Sequence, residues 1–239
     1  MTEYTGTYSI DAYTCIMTDY KRKYLDVVVD IETLATSKNA PIISIGALWY
    51  DNNNQPHPFY KVNDIGDLVY QNQTKHIDVE TLKWWIKTLR DLGPLVKTDF
   101  EKCFNRNLID VDSEYDDKGS GCYTNNLISF LDFIHEAKDY ATTNVLKFNI
   151  WGCSPSFDLR ILEHHLKKNS MDVPWAYYNE RDVRTIRDII NHSTFEDERD
   201  KIIPFELRLQ SSKHNALYDC FSEIVYINNY RNIQRELLK

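Results

Sequence analysis

The sequence holds no apolar run near the roughly 18 residues that cross a bilayer, no CxxC or Cys–His cluster, no excess of positive charge, and no internal repeat or low-complexity tract. The first absence excludes a membrane span. The five cysteines, Cys15, Cys103, Cys122, Cys153 and Cys220, are odd in number and far apart, which argues against a disulfide framework or a zinc site. Reduced thiols in an intracellular protein are the simplest reading. The opening MTEYTGTYSIDAYTC lacks the basic-then-apolar order of a secretory signal, so a cytoplasmic location is expected. Lys plus Arg number 28 against 36 Asp plus Glu, a formal charge of −8. That balance speaks against a broad basic groove along a nucleic-acid duplex.

What is present is ordinary globular material: 239 residues, 42% hydrophobic and 27% charged. Residues 1–23 read as a polar, Tyr-rich extension, and 24–239 as a single domain. YLDVVVDIETL, at 24–34, carries the β-branched run of a buried strand. PIISIGALWY (41–50) and PFYKV (58–62) follow as strands around an Asp51–Asn54 turn. Asp78 can cap a helix with Leu82, Trp85, Ile86 and Leu89. Leu127, Phe130, Leu131 and Ile134 mark a second helix, and VLKFNIW (145–151) a strand. Ser156 can cap the next helix, a short strand is expected near Trp175–Tyr178, and helices are expected over 182–190 and 214–238. The order βββααβαβαα predicts an α/β domain, a mixed sheet with helices on both faces.

The residues that do not belong are acids. Asp30 and Glu32 interrupt an apolar strand at i, i+2, which places both on one face. Side by side in a low-dielectric setting they repel, and a hard divalent cation removes that penalty; the alternative is two surface acids at the strand's end. Asp158 stands in the first turn of a helix after a later strand, and His214 and Asp219 bracket the start of the last helix. The loop with Asp110, Asp112, Glu114 and Asp116 alternates like a calcium loop, but Tyr115 and Gly121 stand where Gly and a bidentate Glu are needed, so it reads as solvated. His164 and His165 read as helix-surface histidines.

Together, DIET at 30–33, SFD at 156–158 and HNALYD at 214–219 resemble the three motifs of the DnaQ-like 3′–5′ exonuclease superfamily, in its His-containing DEDDh branch. WGCSPSFD, VPWAYYNERDVRTI (173–186) and ETLKWW (80–85) are similar to segments of phage DexA-type exonucleases. The resemblance implies a ribonuclease H-like fold, with Asp30, Glu32, Asp158 and Asp219 holding two Mg²⁺ ions, Mn²⁺ substituting, and His214 as general base. The partner implied is the 3′ end of a single-stranded nucleic acid, released as nucleoside 5′-monophosphates. DNA is favoured, RNA is the alternative, and a phage-encoded protein would act in its host's cytoplasm. A non-catalytic binding protein would be marked by loss of a site residue, and all five are present. Thr33, Leu34, Trp84 and Ser156 are the candidate substrate contacts, Leu34 being equally suited to the core. Arg181–Asp182 reads as a cap or ion pair. Cys153 stands where the family has Asn, which bears on substrate preference rather than on chemistry.

Overall fold

The computed structural model describes residues 23–64, 74–89, 94–104, 122–190 and 214–237. β1 (Tyr24–Thr33) is the central strand. Its β-branched residues fit a pleated surface covered on both sides. Leu25, Val27, Val29 and Ile31 enter one core, while Val28 enters another, together with the face that carries Asp26, Asp30 and Glu32. β2 (Ile42–Tyr50) pairs antiparallel with β1 and with β3 (Pro56–Val62). Asp51 Oδ1 closes the β2–β3 turn by accepting from the backbone N–H groups of Asn53 and Gln55, both at 2.8 Å. β4 (Lys147–Gly152) adds parallel to the other side of β1, and the three-residue β5 (Glu180–Asp182) adds parallel to β4. The sheet order is β3-β2-β1-β4-β5.

Helices cover both faces, as the element order predicts. On one lie α3 (Cys122–Thr143) and α4 (Asp158–Lys168), whose Leu127, Phe130, Ile134, Leu159 and Leu162 pack on the odd-numbered residues of β1. On the other lie α5 (Val183–Ile189) and α6 (Ala216–Leu237), whose Ile186, Phe221 and Ile224 pack on Val28, Leu48 and Trp151. α1 (Val79–Thr88) and α2 (Pro94–Phe104) close one end, where Trp85, Val96 and Cys103 bury Leu34 and Ile43. No helix among the described residues is long and apolar enough to cross a membrane.

Several sequence expectations shift by a few residues or fail. The sequence pattern does not predict α2: its length is modest and its apolar periodicity weak, although Pro94 stands at its first position, where proline starts helices. The strand expected near Trp175–Tyr178 is instead a 3₁₀ turn over Tyr177–Asn179, with β5 following it. Asp78 does cap α1, accepting from Thr81 N at 2.9 Å, but Ile86 points outward and is 58% exposed. His165 is not on a helix surface. It is buried, with Nε2 2.8 Å from Ala40 O. The N-terminal extension up to residue 22, the acidic loop at 105–121 and the long connection that the sequence places at 192–208, between the last two expected helices, lie outside the described residues.

α6 runs antiparallel to β1 across its even-numbered face. Near its C-terminal end Arg231 grips Asp26 through two bonds, Nη2 to Oδ1 at 2.7 Å and Nε to Oδ2 at 2.9 Å. Asp26 Oδ1 also accepts from Trp151 Nε1 (2.7 Å) and Asn149 Nδ2 (3.0 Å). Both members of the ion pair are largely shielded, so removing one strands the other. Arg231→Met is expected to lower unfolding free energy by about 3–5 kcal/mol in a urea titration; a wild-type midpoint would show that α6 is held by its apolar face alone.

Candidate active site

The site forms where the N-terminal turn of α6 presses on the sheet. Register places Gly46 of β2 beside Asp30 of β1. A Cβ at Gly46 would lie 2.4 Å from the backbone carbon of Ala216 and 2.5 Å from Leu217 N. Glycine inside a strand costs about 0.5–1 kcal/mol relative to alanine. That loss is smaller than the clash it avoids, since the obstructing atoms are backbone and cannot rotate away. Asn215 fixes the turn: its Oδ1 accepts from Tyr218 N at 2.9 Å, and its Nδ2 donates to the Tyr60 hydroxyl at 2.8 Å. His214 sits at φ 74°, a left-handed conformation that few non-glycine residues adopt. Its backbone N–H donates to Asp219 Oδ2 at 2.8 Å, drawing that carboxylate back to the start of the turn.

Glu32 meets them from β1, with Oε1 3.9 Å from His214 Nδ1. One ligand atom from each of Glu32, His214 and Asp219 lies within 4.8 Å of the others. β1 changes register between Glu32 and Thr33, a bulge of the kind that re-aims side chains at a strand's end. The Trp85 indole donates to Thr33 O at 2.8 Å and holds α1 against that end. Trp84 is 42% exposed and stands edge-on to His214, with ring centroids 4.8 Å apart.

Asp158 arrives from the opposite side. β4 ends at Gly152, where a Cβ would stand 3.0 Å from Asp158 Oδ2. The turn after it is tied by Ser154 O, which accepts from Phe157 N (2.7 Å) and Asp158 N (3.0 Å). Ser154 N in turn donates to Asp158 Oδ2 at 3.1 Å. The expected cap at Ser156 is therefore not made. Phe157 holds the cap position, and Ser156 is exposed with its hydroxyl 3.1 Å from that of Ser154.

Burial, then the neighbouring carboxylates of Asp158, Glu32, Asp219 and Glu223, push the Asp30 carboxyl well above the usual carboxylate range. Burial pushes Asp158 up to about 7, against the backbone N–H groups and the Arg184 guanidinium that favour its charged form. Glu223 is raised by burial and by Asp158. The Cys153 thiol is pushed up to about 12 by burial and by Glu223, with Arg187 Nη1 3.6 Å from its sulfur. A cluster of oxygen donors whose charged forms are this costly alone suits a hard divalent cation.

Asp30, Glu32, Asp158, His214 and Asp219 are thus brought to one place, with Trp84 beside them. Two other candidates face inward: the Thr33 hydroxyl donates to Ala35 O at 2.6 Å, and Leu34 is fully buried against Ile43, Trp85 and Val96. Asp182 caps α5, accepting from Arg184 N at 2.9 Å. Sequence reasoning overlooked Gly46, Asn215, Arg184 and Glu223. Glu223 had a readable signal, since it follows Asp219 at i+4 in a helix, on the same face.

A five-stranded mixed sheet with its second strand antiparallel, helices on both faces and acids on the central strand defines the ribonuclease H-like class. Within that class the chain belongs to the family described as the 3'-5' exoribonuclease Rv2179c-like domain, which matches residues 25–91 and 109–230. This family lies in the DnaQ-like exonuclease superfamily, as the three motifs imply, and its description names RNA where the sequence motifs favour DNA. No curated protein matches the chain.

Two outcomes follow from the geometry. A carboxyl raised in the native state takes up a proton on folding, so stability falls as pH rises from the unfolded value to the native one. With Asp158 moved from 3.8 to about 7, the metal-free protein is expected to lose melting temperature across that window. Asp158→Asn should make the slope shallower, with Asp30 and Glu223 keeping the remainder; an unchanged slope would remove Asp158 as a source. Gly46→Ala is expected to destabilise by about 1–3 kcal/mol in a urea titration and to abolish nuclease activity, whereas full activity would mean that α6 need not touch β2.

Proposed function

We propose that this protein is a metal-dependent 3′–5′ exoribonuclease that releases nucleoside 5′-monophosphates from the 3′ end of single-stranded RNA. The observation that carries the reading is the convergence of Asp30, Glu32, Asp158 and Asp219, with His214 beside Glu32 and Asp219. The four carboxylates would hold two divalent cations, Mg²⁺ with Mn²⁺ substituting. Such ions supply charge neutralisation at the scissile phosphate and lower the pKa of the attacking water.

The chain's own groups do the rest. His214 takes the water's proton; an imidazole is the side chain suited to that transfer near neutral pH. The backbone N–H of His214 donates to Asp219, and its ring Nδ1 lies 3.9 Å from Glu32 Oε1. Trp84 offers a face to the terminal base, a stack worth about 1–3 kcal/mol. Arg184, exposed and close enough to act on Asp158, offers a cation to a substrate phosphate. An acidic protein can grip nucleic acid in this way because it holds a short 3′ end by cations and stacking, not a long duplex by a basic groove.

The similarity of WGCSPSFD and VPWAYYNERDVRTI to phage DexA-type segments favours a second reading, a DNA exonuclease using the same chemistry. The two are separated by incubating 5′-labelled RNA, single-stranded DNA and duplex DNA with Mg²⁺. RNA should shorten from its 3′ end, EDTA should stop the reaction, and a 3′-phosphate should block it. Asp30→Asn should be inactive, and His214→Ala should lose about 10²–10⁴-fold in kcat. Faster loss of DNA would favour the second reading, and digestion from the 5′ end would overturn both.

A further inference from the structure

Glu223 belongs to none of the motifs that define the site. It lies one turn beyond Asp219 on α6, on the same face, and only 6% of it is exposed. Its carboxylate is bonded to the Cys153 thiol, yet Oε2 is buried without a hydrogen-bond partner. Arg187 directs Nη1 at Cys153 Sγ (3.6 Å) and lays its guanidinium over the Tyr226 ring, 5.1 Å from its centroid. The carboxylates of Asp158 and Asp219 disfavour its charge, and the Arg187 guanidinium only partly offsets them. A buried acceptor atom with no donor, beside two further acids, calls for an explanation. It would have one if a hydrated cation stood in front of it.

We propose that Glu223 is a fifth carboxylate of the metal centre, a positioning residue whose Oε2 accepts a hydrogen bond from the hydration shell of a cation held by Asp158 and Asp219. This rests on the reading of the cluster as a metal centre. Cys153 then has a defined role, because its neutral thiol orients the Glu223 carboxylate from the end of β4. The replacement of an amide by a thiol at position 153 is thereby tied to the metal centre rather than to the substrate.

Metal binding tests this without substrate. Mn²⁺ is titrated into wild type, Glu223→Gln and Asp30→Asn by electron paramagnetic resonance, and each protein is melted with and without Mn²⁺. Gln keeps the volume and an acceptor for Cys153, so the variant is expected to fold. Mn²⁺ should bind Glu223→Gln about tenfold more weakly, as loss of an outer partner does at metal sites. Its metal-free form should melt higher than wild type, since one acid of a crowded set is gone, and its Mn²⁺-induced rise should be smaller. A merely structural Glu223 gives the opposite, a lower metal-free melting temperature with unchanged Mn²⁺ affinity, and that result overturns the proposal. Binding lost in Asp30→Asn but unchanged in Glu223→Gln overturns the role of Glu223 alone. Wild type that binds no Mn²⁺ overturns the metal centre with it.

Discussion

Repulsion among carboxylates held out of water is the constraint on which the rest of the structure depends. Burial, and then the carboxylates of Asp158, Glu32, Asp219 and Glu223, hold the Asp30 carboxyl well above its ordinary range. A fold gains nothing from such a cluster by itself. The energy that holds it comes from elsewhere: a central strand buried on both faces, a long helix laid along it, and apolar layers above and below. Stability from the cores is set against a locally unfavourable site, a common trade at functional centres.

The even-numbered face of β1 shows two solutions to the same problem. Asp26, near one end of α6, is neutralised within the protein by the Arg231 fork and two side-chain N–H donors. Asp30, two pleats along, is surrounded by acids. One strand face and one helix thus carry both a structural ion pair and a site that calls for an external cation. Gly46 links them, because its missing side chain lets the α6 N-terminus reach the strand pair that presents Asp30 and Glu32. The overall acidity of the chain reads differently in this light. Part of the excess negative charge is concentrated where divalent ions would offset it, so it does not exclude a polyanionic partner.

Much of this was legible in the sequence because it rests on short-range rules. The alternation of VVVDIETL implies a central strand with both acids on one face, and Asp78 and Asp182 cap helices as their positions indicate. What could not be read depends on contacts distant in sequence. Nothing local marks Gly46 as the seat of a helix that starts 170 residues later. Ser156 has the composition of a cap, but the tighter turn tied by Ser154 took that position. His165, polar by type, is buried because its Nε2 meets a backbone carbonyl from the segment after β1. Leu34 follows the first motif directly, yet α1 and α2 enclose it.

Anomalous diffraction from crystals grown with Mn²⁺ reads out whether the converging carboxylates form a divalent-cation centre. Peaks bounded by Asp30, Glu32, Asp158 and Asp219 are expected, and they should be lost in Asp30→Asn. Crystals of an enzyme that cleaves RNA with Mn²⁺, yet show no peak in this cluster, would put the catalytic cations elsewhere.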